Sequence, residues 1–283
     1  MPTPVSQTSA APATASGAMA SAESITATAA ELVSCGSLEM GADTPEDARR
    51  VAELLPTGTP VYVNHLPSRD LDHALPALVA LRQAGLEPVP HIAARRVASR
   101  EQVQVFLQRA IKTAGVGKLL LIGGDVDKPA GPYDSAAALL RDGPLADCGI
   151  QQVGLAGYPE GHPRIATQVL RAALADKLSA AREQGLGSYV VTQFSFSPNR
   201  IAEYCADLAR SAPDVAVYAG LAGPASPVAL LRYAQRCGVG ATRRALSTLG
   251  GQIAQLMVHT EPTEQLGARS EERRVGKECR SRW

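Results

Sequence analysis

The stretch KLLLIGGD, Lys118 to Asp125, passes from a lysine through four apolar residues to two glycines and an aspartate. An apolar run this short, with no alternation, reads as a strand covered on both faces, as in parallel sheets. Polar character arrives only where the run stops, so any chemistry here belongs to the strand's C-terminal end.

The same form recurs on both sides of it. LVSCGSLEM (32–40), PVYVNHL (60–66) and EPVPHIAA (87–94) precede it; QVGLAGYP (152–159), SYVVTQFSF (188–196) and VAVYAGLAG (215–223) follow. Segments of helical period lie between them. DARRVAELL opens after DTPED, DHALPALVALRQAG ends on glycine, and SREQVQVFLQRAIKTAG starts at Ser99 as N-cap and also ends on glycine. IATQVLRAALADKLSAAREQG, NRIAEYCADLARSA and SPVALLRYAQRCG continue the series.

Strand–helix repeats of roughly 30 residues fit an open doubly wound sheet or a (β/α)8 barrel. A dinucleotide-binding sheet calls for GxGxxG after the first strand, and SLEMGADTPED lacks it. Glu39, Asn64, His91, Asp125, Tyr158 and Gln193 instead fall near the ends of successive runs. Polar residues at many strand ends are what barrel enzymes show, because all eight ends converge on one face, so the expected fold is an α/β (β/α)8 TIM barrel. After the seventh run, GVGATRRALSTLGGQIAQLMVHT reads as helix, and the last strand and helix of the barrel are expected to be missing.

Three domains are expected: an Ala/Ser/Thr/Pro-rich disordered tail over 1–25, the barrel over 26–268, and a non-native segment over 269–283. The last, RSEERRVGKECRSRW, resembles a translated sequencing adapter and is set aside from functional reasoning. It carries six basic and three acidic residues, leaving 22 basic against 24 acidic in the remainder. That balance argues against a nucleic-acid or anionic-membrane footprint. No apolar run approaches the roughly 20 residues of a membrane helix. The five cysteines show no metal-ligand spacing and read as reduced core residues of a cytoplasmic protein, with no metal site.

Four motifs carry a family resemblance. PHI (90–92), GGD (123–125), YPEGHP (158–163) and VTQFSF (191–196) are similar to those of methylenetetrahydrofolate reductases, in that order on consecutive strands. SLEM (37–40) resembles a diverged form of the family's first-strand Ser-Phe-Glu-Phe. The resemblance implies a barrel holding FAD at its C-terminal face, with NADH or NADPH as co-substrate. It implies interconversion of 5,10-methylenetetrahydrofolate and 5-methyltetrahydrofolate, and commonly a homo-oligomer.

Chemistry explains the residue types that the resemblance assigns. The five-membered ring of the substrate must open to an iminium, which needs a general acid, and Glu39 takes that place with Leu38 and Met40 as apolar neighbours. Asp125 is implied to lie by the flavin and the folate, with Gly123 and Gly124 letting backbone approach a ligand. Asn64, His91, Tyr133, Tyr158 and His162 are implied cofactor contacts, and Gln193 a contact to the pterin edge, where an amide both donates and accepts. Lys177 stands as a phosphate partner on the helix after YPEGHP. Asn64 replaces a threonine common in the family, and the usual first-strand aromatics are absent. Two readings from other classes remain open: a catalytically silent folate- or flavin-binding subunit, and a pterin-dependent methyltransferase on the same barrel.

Overall fold

The computed structural model describes residues 30–221, apart from 32–33, 42–43, 67–68 and 196. Seven strands alternate with six helices among them. They are β1 (Leu38–Met40), α1 (Pro45–Leu54), β2 (Pro60–Val63), α2 (Leu75–Gln83), β3 (Glu87–Ala93), α3 (Arg100–Ala114) and β4 (Lys118–Ile122). Then follow α4 (Ala136–Asp142), β5 (Gln152–Gly157), α5 (Thr167–Glu183), β6 (Gly187–Thr192), α6 (Pro198–Ser211) and β7 (Ala216–Tyr218).

Local chemistry sets the helix ends. Thr44, Ser99 and Ser135 each accept a backbone N–H from three residues ahead, at 3.1, 3.2 and 3.2 Å, capping α1, α3 and α4. Gly115 closes α3 at φ 58°, the left-handed conformation that glycine adopts without penalty. One helix departs from expectation. DHALPALVALRQAG is split into a 3-10 turn, Leu71–Ala74, and α2, with Pro76 in the first turn of α2. Proline has no N–H to give to a preceding turn, so the regular helix begins beside it.

All strands are parallel, and the order β1 through β7 follows the chain. A doubly wound sheet reverses its order at a switch point; this sheet has none. Right-handed crossovers all running the same way put every helix on one face, which is the barrel arrangement. The main core lies between that face and the helices, where Val61, Val63, Ile92, Leu119, Leu121, Val153, Leu155 and Val190 meet residues such as Leu78, Phe106, Leu107 and Leu139.

The opposite face is the barrel interior. Tyr62, Val89, Leu120 and Tyr189 form a separate buried cluster there, with Ile122, Val191 and Tyr218 against it. Tyr62 Oη donates to Tyr189 Oη at 3.2 Å, joining β2 to β6. In a flat sheet those strands would stand about 19 Å apart with side chains side by side. Only a strongly curled sheet lets them touch.

The eighth strand, the helix expected after Gly238, the 1–25 tail and the 269–283 segment lie outside the described residues. One expectation needs correction. Of the cysteines described, Cys35 is exposed while Cys148 and Cys205 are half-buried, so none is a sealed core residue.

Candidate active site at the C-terminal strand ends

Strand parity decides which side chains enter the barrel. Glu39 pairs with Tyr62 in the β1–β2 register, so it shares the inner face, while Met40 packs in the outer core. Leu38 and Met40 therefore cannot shield the carboxyl, because neighbours along a strand point to opposite faces. Its inward-facing neighbour is Tyr62, the register partner on the adjacent strand. Burial raises the Glu39 pKa above the ordinary carboxylate value, and a hydrogen bond from the Asn64 side chain pulls the other way. Asn64 is fixed by its own N–H, which donates to Met40 O at 3.0 Å just beyond the end of β2. As a residue Glu39 is nonetheless exposed, so solvent screens the carboxyl and tempers the effect of burial.

His91 is inside β3, two residues before its end, and only 7% exposed. Its ring meets Tyr62 edge-on at 6.0 Å. Desolvation, with a smaller push from His65, lowers its pKa to about 3. Nε2 has no hydrogen-bond partner. A buried polar nitrogen left open at the inner wall is a place where a bound molecule can complete the hydrogen bonding.

Gly123, Gly124 and Asp125 follow β4. Gly124 holds φ 94°, and a Cβ added to Gly123 would meet nothing within 4 Å, so backbone faces open space here. Asp125 presents a carboxylate 68% exposed, paired to the Arg96 guanidinium. The Arg96 hydrogen bond holds its pKa below the ordinary aspartate value.

The loop after β5 carries Tyr158 and His162, whose rings meet edge-on at 5.6 Å. The Arg164 N–H donates to His162 Nδ1 at 3.2 Å, so the proton of the neutral ring sits on Nε2 and is free to donate. Ser195, fully buried, donates to Glu160 Oε1 at 2.6 Å and links this loop to the one after β6. Gln193 sits on that second loop. Its Oε1 accepts the Phe194 N–H at 3.1 Å, and its N–H donates to Gly157 O at 2.7 Å. The side-chain NH2 is left to donate.

Two expected site residues are placed elsewhere. Tyr133 is 2% exposed and belongs to the outer core, because the loop before α4 turns its ring under the helix layer. Lys177 is the eleventh residue of α5, about 15 Å along the axis from its start. It is half-buried, and burial lowers its pKa against the pull of Asp176. Among the described residues no hydrogen bond or ion pair joins it to the strand-end group.

Several residues at these strand ends were not expected from the sequence. The tandem Arg95–Arg96 after β3 grips the loop after β4, and Tyr62 with Tyr189 forms the interior floor. Two adjacent cations directly behind a strand were the available signal for the first. Among the described residues no group of three or more His, Cys, Asp or Glu could hold a metal ion. Nor, among them, is any helix long and apolar enough to cross a membrane.

Comparison with known proteins adds a family. The sequence profile described as methylenetetrahydrofolate reductase matches residues 40–251, beginning one residue past Glu39. Among solved structures, the chain is 17% identical to a protein from Burkholderia cenocepacia J2315 described as a phosphonomutase. That match covers 78% of this chain and 95% of the other, at a TM-score of 0.47. It is 18% identical to a tryptophan synthase from M. tuberculosis in its aminoacrylate-bound form, covering 88% and 96%, at a TM-score of 0.45.

Proposed function

The chain belongs to the methylenetetrahydrofolate reductase family, and from that premise we propose that it is a FAD-dependent oxidoreductase. It interconverts 5,10-methylenetetrahydrofolate and 5-methyltetrahydrofolate, with NADH or NADPH as co-substrate. The observation that carries this reading is Glu39: an inward-facing, partly desolvated carboxyl at the barrel mouth, beside Asn64. A carboxyl with a raised pKa keeps a proton to give at higher pH than an ordinary glutamate.

The residues present fit a flavin. His91 Nε2 is an unpartnered buried polar atom on the inner wall, and Gly123 leaves backbone open just past the end of the neighbouring strand. His91, Gly123, Gly124, Tyr158 and His162 would hold the group, with the His162 Nε2–H as a donor to its polar chain. Bound there and reduced by the nicotinamide, the flavin would supply the hydride that turns the iminium carbon into a methyl group.

The chain's own residues do the rest. Glu39 gives its proton to the ring nitrogen whose bond to the bridging carbon breaks, leaving the iminium on the other nitrogen. The carboxylate that remains is held by the Asn64 amide, the same hydrogen bond that opposes the burial effect. Gln193 donates its NH2 to an acceptor on the pterin edge, its oxygen being engaged by Phe194. Asp125, exposed at the end of β4, accepts from the donor groups of the folate.

The test is the absorbance spectrum of the purified protein, followed by anaerobic addition of NADH or NADPH. Flavin bands that bleach with reduced nicotinamide and recover with methylenetetrahydrofolate are expected. A colourless preparation that binds no added FAD would overturn the reading.

A further inference from the structure

Arg95 and Arg96 stand side by side in the 3-10 turn after β3, and both side chains cross to the connection that follows β4. They take different partners there. Arg95 donates to backbone only: Nε to Val126 O at 2.8 Å, Nη1 to Asp134 O at 2.9 Å, and Nη2 to Asp127 O. Its own main chain adds two bonds, from its N–H to Gly123 O and from Ala130 N to its carbonyl, both at 2.9 Å. Residues 123–135 have no helix or strand to organise them, so these bonds supply the order that a regular element would give. Gly131 completes the docking, because a Cβ there would lie 2.1 Å from Ala98 O.

Arg96 takes a side chain. Its Nε, at 3.2 Å, and its Nη2 both donate to Asp125 Oδ1. The Arg96 side chain is only 14% exposed while that of Asp125 is 68% exposed. A largely buried cation thus holds an exposed anion from behind, and leaves it facing solvent at the strand ends.

We propose that the two arginines form a divided mount for Asp125: Arg95 fixes the loop, and Arg96 fixes the carboxylate itself, ionised and turned to the barrel mouth. Arg96 is then a positioning residue of the site. The assignment deepens the oxidoreductase reading and rests on it only for what Asp125 meets. The other charges around this carboxylate are Arg164, from the connection after β5, and Asp127, which Arg164 pairs at 3.3 Å. Neither is on the β3 connection, and Arg96 can be changed without removing a hydrogen bond to Asp127, which Arg95 reaches through the backbone carbonyl.

The experiment is a side-chain carbon NMR titration of Asp125 in the full chain, assigned with Asp125→Asn, without flavin or folate. In Arg96→Gln the Asp125 pKa should rise toward the ordinary aspartate value of about 3.9, held short of it by Arg164, with the amide resonances of 126–134 unmoved. Arg96→Lys should restore part of the depression, and Arg95→Gln should shift those amides while leaving Asp125 depressed. A parent-like titration in Arg96→Gln would overturn the proposal. Should that variant not fold, Arg96→Lys decides alone: a partial rise supports the mount and an unchanged titration refutes it. Because no cofactor is present, failure of the flavin reading would leave this result standing, and the reverse.

Discussion

Ser195 Oγ donates to Glu160 Oε1 at 2.6 Å while accepting the Ser197 N–H at 2.9 Å, so a fully buried hydroxyl joins the loop after β5 to the loop after β6. The first loop carries Tyr158 and His162 and the second carries Gln193. Beyond the Gln193 N–H bond to Gly157 O at the strand ends, this serine is a side-chain tie between the two loops. Hydrogen bonds to charged groups contribute roughly 1.5–3 kcal/mol. Ser195→Ala should lower unfolding free energy by about that amount in a urea titration. It should also weaken FAD retention on dialysis more than an equally destabilising change in the outer core, such as Leu107→Ala. Equal retention in the two variants would show that the tie does not order the site.

The interior floor can be tested by adding a single methyl. A Cβ on Gly154 would lie 2.8 Å from Tyr189 Cε2 and 2.9 Å from Leu120 Cδ1. Glycine is required there because the Tyr189 ring fills the space a side chain would take. Gly154→Ala should cost about 1–3 kcal/mol through overpacking, read by chemical denaturation. In Gly154→Ala combined with Tyr189→Leu the cost of the alanine should largely vanish. If it persists, Tyr189 is not what occupies that space.

How much of this was legible beforehand follows from where the information resides. Thr44 and Ser99 announced helices because capping is local chemistry, and Gly115 ended one for the same reason. The order of strand-end residues was legible because each terminates its own apolar run. Facing was not. Strands buried on both sides have no hydrophobic alternation, so only the Glu39–Tyr62 register shows that Glu39 points inward and that Leu38 and Met40 do not screen it. Tyr133 looked like a ligand residue in GPYDSA, yet its environment is set by the loop that Arg95 and Gly131 dock, through contacts 39 residues apart for Arg95 with Asp134 and 33 apart (131 − 98) for Gly131 with Ala98. For Arg96 the sequence offered the pair of cations behind a strand but not their partner, since a salt bridge between neighbouring strand ends leaves no periodic trace.

His91 gives the fold an acid sensitivity. Its folded pKa, about 3, lies far below the ordinary histidine value of 6.5, because charging the ring inside the barrel is penalised. The unfolded chain binds the proton more readily in that interval. Stability is therefore fully present above pH 6.5 and is lost as pH falls toward 3, by up to about 1.4 kcal/mol per pH unit. His65, also lowered by burial, adds a slope of the same sign. His91→Gln should flatten the dependence measured by urea unfolding between pH 6.5 and 4.5, leaving the His65 part. An unchanged slope would place the acid sensitivity elsewhere.

Glu39 should show the opposite sign, and that sign separates a working acid from a structural carboxylate. Its folded pKa is raised above 4.5, chiefly by desolvation. Its contribution to stability is complete below pH 4.5 and is lost as pH rises through the folded value, so at neutral pH the ionised group is a burden on the fold. Glu39→Gln removes that burden and keeps an amide able to meet Asn64. The variant should be as stable as the parent at pH 7 or more so, retain FAD, and still be bleached by reduced nicotinamide. Turnover of methylenetetrahydrofolate should fall by at least a factor of about 100, the lower range for loss of a general acid. Stopped-flow measurement of the two half-reactions separates these outcomes. Equal loss in both would point to a damaged site, whereas loss confined to the folate half assigns the proton to Glu39.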